Sequence, residues 1–102
     1  MSYNGYPNWE TYTVSLHLDQ DLQGIVNEMM EEYDLDGKEQ YEVTYDVAEH
    51  IKEWTWDYYH MTATQEFEKT IFHDMIHGCM TTCDWTFLAK HFLAEVDEYT
   101  AE

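Results

Sequence analysis

The chain has 102 residues and carries 22 Asp and Glu against 4 Lys and no Arg, a formal net charge of −18 at pH 7. That charge exceeds the magnitude of roughly 2–8 that suits a small soluble domain, and it excludes attraction to the anionic surfaces of nucleic acids and membranes. Hydrophobic residues at 44% and aromatics at 17% exclude a disordered acidic tail, which has too little apolar surface to offset the entropy of folding.

One packed domain over residues 1–102 is expected, since Pro7 is the single proline and the four glycines are scattered. Asn8 is the predicted N-cap of a first helix running to about Asp19, with Glu10 in its first turn and Trp9, Tyr12 and Leu16 on one face. A second helix is expected from about Asp21 to Tyr33, where Leu22, Ile25, Val26, Met29, Met30 and Tyr33 recur at helical spacing. The segment Asp34–Lys38 breaks it, with Gly37 supplying the turn. The longest helix is expected from about Lys38 to Tyr59. Its stripe is Val43, Val47, Ile51, Trp54 and Tyr58, widened by Ala48 and Tyr59. Within it, Tyr41–Tyr45 is rich in strand formers and admits a short strand instead.

A fourth helix is expected from about Thr64 to His77, burying Phe67, Ile71, Phe72 and Met75 and stopping near Gly78. The last starts at Cys83 or Asp84 and brings Trp85, Leu88, Ala89, Phe92, Val96 and Tyr99 together. The expected fold is all-α, a compact bundle of about five helices.

The long helix carries the sharpest pattern. Glu39, Glu42, Asp46, Glu49, Glu53 and Asp57 are spaced by 3, 4, 3, 4 and 4 residues, which places them within an arc of about 80°. At about 1.5 Å rise per residue the ladder spans roughly 27 Å, with a carboxylate every 5 Å or so. Successive phosphates of one DNA strand advance about 3.4 Å along the axis, so the two arrays are of the same order. Like charges at these spacings cost about 0.2–0.5 kcal/mol per pair. An ordinary solvated face interleaves lysines at i+4, whereas Lys52, inside this helix, projects away from the ladder. Adaptation to high salt also yields acidic, lysine-poor surfaces, but the many large aromatics argue against it. Glu28, Glu31 and Glu32 on the second helix and Glu95, Asp97 and Glu98 near the C-terminal end extend the negative surface.

His73, His77, Cys79 and Cys83 form H-x3-H-x-C-x3-C, a set of metal-ligand types at helical spacing. Gly78 disturbs that geometry and the C-x2-C knuckle is absent, so buried small cysteines and a partly buried histidine are expected, with no metal and no cofactor. The four-residue cysteine spacing suits reduced thiols and an intracellular setting. His17, His50, His60 and His91 are scattered. No Ser-His-Asp or Cys-His arrangement, nucleophile elbow or phosphate-binding glycine loop is present, and no enzymatic activity is expected. The N-terminal residues lack a basic and an apolar region, and no apolar run approaches the roughly 20 residues of a membrane span, so a cytoplasmic protein is expected.

Asn4-Gly5-Tyr6-Pro7-Asn8-Trp9-Glu10-Thr11, followed by Val14, Leu16 and Asp19, resembles the opening of a family of small acidic phage- and plasmid-encoded proteins of unknown function, which begin N-G-x-x-N-x-E-T-W. Asp84-Trp85 through Ala89, His91 and Leu93 is similar to the W-x-x-[IL]-A-x-H helix that closes many of them. The resemblance covers about 30 residues at the two ends, with Tyr12 and His17 standing where the family more often has tryptophan. It implies a mobile-element origin and structural roles for Asn8 as a cap and for Trp9 and Trp85 in packing.

The ladder and the resemblance together lead to an expected function. The chain imitates the phosphate array of a nucleic acid and inhibits a basic nucleic-acid-binding host protein, such as a restriction or CRISPR effector or RNA polymerase. It binds no nucleic acid or membrane itself. The alternative is an adaptor or antitoxin-like module that holds its partner in an apolar groove. A homodimer would lengthen the negative surface, and the sequence leaves the oligomeric state open.

Overall fold

The computed structural model describes residues 4–63 and 70–96. It contains four helices, α1 (Trp9–Glu32), α2 (Gln40–Thr62), α3 (Ile71–Thr82) and α4 (Trp85–Leu93). Among the described residues the all-α expectation holds with four helices where about five are expected, and Tyr41–Tyr45 is helical, not a strand.

The first two expected helices are one. α1 runs unbroken for 24 residues, about 36 Å at 1.5 Å per residue. Its buried face is Thr11, Val14, Ser15, Leu22, Val26 and Met30, with Leu18 half-buried between them. These positions cluster about one mean direction, along i, i+4 rows that turn gradually around the helix from Val14 to Met30. The stripe expected from Trp9, Tyr12 and Leu16 lies about 110° from that direction, and Trp9 and Leu16 are 53% and 60% exposed. Trp9 therefore contributes little to the core, contrary to the packing role expected for it. Small hydroxyl side chains occupy the buried positions instead, and each is satisfied. Asn8 Oδ1 accepts from the Thr11 N–H at 2.8 Å and from Thr11 Oγ1 at 2.6 Å. Thr11 Oγ1 in turn accepts from the Asp84 N–H at 2.8 Å, and Ser15 Oγ lies 3.1 Å from the Tyr6 hydroxyl. Asn8 is thus the N-cap of α1 and, through its Nδ2 donating to the Thr82 carbonyl at 3.2 Å, a clasp onto the α3–α4 junction.

Tyr33 ends α1 in extended geometry. The Asp34 carboxylate accepts from the Asp36 N–H at 3.0 Å, and Gly37 takes a φ of 75°, the left-handed region that glycine enters without a Cβ penalty. α2 then buries Val43, Thr44, Val47, Ala48, Ile51 and Thr55.

α4 is short but central, packed against both α2 and α1. Asp84 caps it, accepting from the Phe87 N–H at 3.0 Å, and Trp85, Leu88, Ala89, Phe92 and Leu93 are buried. Trp85 Nε1 donates to the Met80 carbonyl at 3.0 Å, so its polar end is satisfied inside the core. The helix ends at Leu93; Val96 is buried beyond it, and Tyr99 lies outside the described residues.

α3 departs most from expectation. It runs through Gly78 to Thr82, and its apolar residues Ile71, Phe72 and Met75 face outward, Ile71 by 69% and Met75 by 61%. Its inward side is His73, Ile76, His77 and Met80, at spacings of 3, 1 and 3 residues. Phe67 and the expected start at Thr64 lie outside the described residues. Among the described residues, no helix is long and apolar enough to cross a membrane.

Candidate partner-binding surface

All six ladder carboxylates stand at or within one continuous helix. Glu39 is the N-cap position of α2 and makes no side-chain capping bond; Glu42, with its charge in the first turn, is favourably placed against the helix dipole. Glu39, Glu53 and Asp57 are exposed, while Glu42, Asp46 and Glu49 are half-buried. On the helical wheel the ladder lies roughly opposite the buried Val47 and Ile51. Among the described residues, no lysine pairs with a rung.

Asp46 differs from the other rungs because it accepts a hydrogen bond from the Tyr33 hydroxyl. That bond, with burial and the negative charges of Asp46 and Glu42 adding to it, pushes the Tyr33 phenol up to about 12. Lys38 Nζ lies 5.8 Å from the centroid of the Tyr33 ring, so the lysine nearest the head of the ladder leans on an aromatic face. Tyr41 and Tyr45 stand exposed along one edge of the ladder and, with Lys38, Glu42 and Asp46, line a shallow hollow of about 320 Å³.

The secondary acids Glu28, Glu31 and Glu32 are all exposed and crowd the C-terminal end of α1, whose last turn holds no basic residue. Negative charge there opposes the helix dipole, at a cost of about 0.3–1 kcal/mol for each well-placed group. Glu95 is exposed beyond α4, and Asp97 and Glu98 lie outside the described residues.

Between the two acidic helices lies a feature that helix-by-helix reading did not find. A groove of about 540 Å³ is lined on α1 by Ile25, Glu28, Met29 and Glu32, at its end by Tyr33, and on α2 by His50 and Trp54. Each helix buries only part of its apolar stripe against its neighbour, and the remainder forms this floor. The Trp54 ring stacks on Tyr58, with centroids 5.3 Å apart and planes 10° off parallel, which fixes the wall.

The His/Cys constellation divides. His73 and His77 turn toward α2, with ring centroids 4.0 Å apart; His73 Nδ1 bonds the Tyr59 hydroxyl, and His77 meets Trp56 edge-on at 4.5 Å. His77 Nε2 is buried without a hydrogen-bond partner. Cys79 and Cys83 face the other way, both free thiols, with Cys83 buried beside Thr11. Burial pushes the Cys83 thiol up to about 12, the nearby Cys79, Asp84 and Glu10 adding to the effect and the neighbouring Thr11 hydroxyl working against it. Cys79 is raised by burial and by Glu10. Among the described residues, no group of three or more His, Cys, Asp or Glu side chains is placed to hold a metal ion.

Compared with protein-family models, with curated proteins and with solved structures, the chain matches none.

Proposed function

We propose that this protein is a nucleic-acid mimic that binds a basic nucleic-acid-binding host protein and inhibits it by occupying its groove. A restriction or CRISPR effector and RNA polymerase are the target classes in view, and the resemblance of both chain ends to small acidic phage and plasmid proteins points the same way. The observation that carries the proposal is the ladder: six carboxylates at or within a single helix and, among the described residues, no lysine pairing a rung. A fold that tolerates this repulsion, and adds acids at the unfavourable end of α1, is maintaining negative potential at some expense to its own stability. No catalysis is required, because a preorganised carboxylate array competes directly with phosphates for the same lysines and arginines.

The test is capture from host lysate on immobilised protein, with elution by a salt gradient. A nucleic-acid enzyme released at moderate salt and displaced by duplex DNA supports mimicry. The second reading, an adaptor that holds its partner through apolar contact, is favoured by the groove between α1 and α2. It expects a partner that resists salt and ignores DNA.

A further inference from the structure

The α1–α2 groove and the acidic ladder are one surface. At about 100° per residue around α2, the groove-lining Trp54 and His50 lie between the buried face and the rungs Asp57, Asp46 and Glu53. Beyond the groove on α2 therefore stands the near edge of the ladder, Asp57, Asp46 and Glu53. On α1 the order repeats in mirror fashion: Val26 and Met30 are buried, Met29 and Ile25 form the floor, and Glu32 and Glu28 stand beyond them. Glu31 falls on the other side of α1 and takes no part. An apolar trough thus runs between two acidic rails, and the Tyr33–Asp46 hydrogen bond joins the rails at one end.

Phosphate imitation alone needs no such trough, since a duplex backbone presents charge without an apolar slot. Solubility alone would not flank a floor of Ile25, Met29 and Trp54 with carboxylates on both sides. Charge complementarity selects the occupant: a segment that lowers an apolar side chain onto the floor while Lys or Arg on either side meets the rails. Resting on the mimicry reading above, we infer that the α1–α2 groove is a socket for one apolar anchor residue of a Lys/Arg-rich segment of the partner protein. The rails then set encounter and orientation, and the socket sets residence time, dividing on-rate from off-rate in the usual way of charged interfaces with a desolvated centre.

The test uses two short synthetic Lys/Arg-rich peptides that differ only at a central position, leucine in one and serine in the other. Binding to the intact protein is followed by fluorescence anisotropy across a salt series. The leucine peptide should bind roughly tenfold more tightly, the scale set by burial of one aliphatic side chain. That preference should vanish in Met29→Gln and in Ile25→Gln, two variants that keep the carboxylates; thermal melts confirm that each is folded, and either suffices. Equal affinity of the two peptides, with steep salt dependence, overturns the socket and leaves the acidic-array reading standing. A leucine preference that survives both substitutions also overturns the socket. If the leucine preference holds but is indifferent to salt and to Glu53→Lys and Asp57→Lys, the mimicry reading fails, and with it the rails that the inference needs. Binding of neither peptide overturns both.

Discussion

Tyr33, the residue that closes α1, donates its phenolic hydrogen to Asp46, the third rung of the ladder on α2. One bond thus joins the end of one acidic helix to the middle of the other and holds the two rails in register. Tyr33→Phe keeps the ring under Lys38 and removes only the hydroxyl. It should lower stability by about 1–2 kcal/mol, between the net worth of a neutral hydrogen bond and that of a fully buried one to a charged acceptor, since the Asp46 carboxylate is only half-buried. A double-mutant cycle with Asp46→Asn, read by urea denaturation, should show that the two losses are not additive.

Alkaline pH should destabilise the fold as soon as ordinary tyrosine and cysteine titration begins, because in the folded protein Tyr33 and Cys83 resist that titration. Both Tyr33 and Cys83 are acids whose folded-state values are raised to about 12, from 10.0 and 9.0. The folded state therefore favours their protonated forms. The stability this contributes is complete below the unfolded values and is lost as pH rises, from about pH 9 for Cys83 and about pH 10 for Tyr33, up to about pH 12. Denaturation midpoints measured across this range should fall steadily. Tyr33→Phe should flatten the upper part of the fall, and Cys83→Ala should flatten it from its start. At neutral pH a thiol reagent should modify the less buried Cys79 before Cys83.

His77→Phe should stabilise the protein. The imidazole packs its edge on Trp56, and its Nε2 is buried with no partner. A phenyl ring preserves the packing and removes the unsatisfied atom, a gain on the order of 1 kcal/mol. His73→Phe is the control, because His73 is bonded to the Tyr59 hydroxyl and its loss should destabilise. Thermal melting of the two variants should therefore move in opposite directions.

The parts of this fold that sequence reading captures are those governed by local chemistry. Asn8 and Asp84 cap their helices as their residue types require, Gly37 takes the left-handed turn, and the ladder lies on one helix because its spacing is helical. The boundary expected between Asp19 and Asp21 does not exist. The apolar pattern of α1 does not mark its buried face, which runs through Thr11 and Ser15, whose hydroxyls are satisfied by Asn8, the Asp84 N–H and Tyr6. α3 reverses the usual rule in the same way, presenting His73 and His77 inward and Ile71 and Met75 outward. The α1–α2 groove was illegible for a different reason. Ile25, Met29 and Trp54 each read as core within their own helix, and only the distance kept between two helices leaves them lining a trough.

The ladder makes a prediction whose two halves have opposite signs. Glu49 repels Asp46 and Glu53 at helical neighbour spacing, so Glu49→Lys should raise stability by roughly 0.4–1 kcal/mol through lost repulsion alone. If the ladder serves only to solvate the helix, nothing else should change. If it is the binding surface, the stabilised variant should bind worse.

The most direct measurement is the affinity of the lysate-captured partner for the wild-type protein and for the triple variant Glu42→Lys, Glu49→Lys and Glu53→Lys, across a salt series with duplex DNA as competitor. The expected result is a loss of more than tenfold in the variant, with wild-type binding that falls steeply with salt and yields to DNA. Equal binding by the charge-reversed protein, or affinity indifferent to both salt and DNA, would contradict the claim that this acidic helix stands in for a nucleic acid.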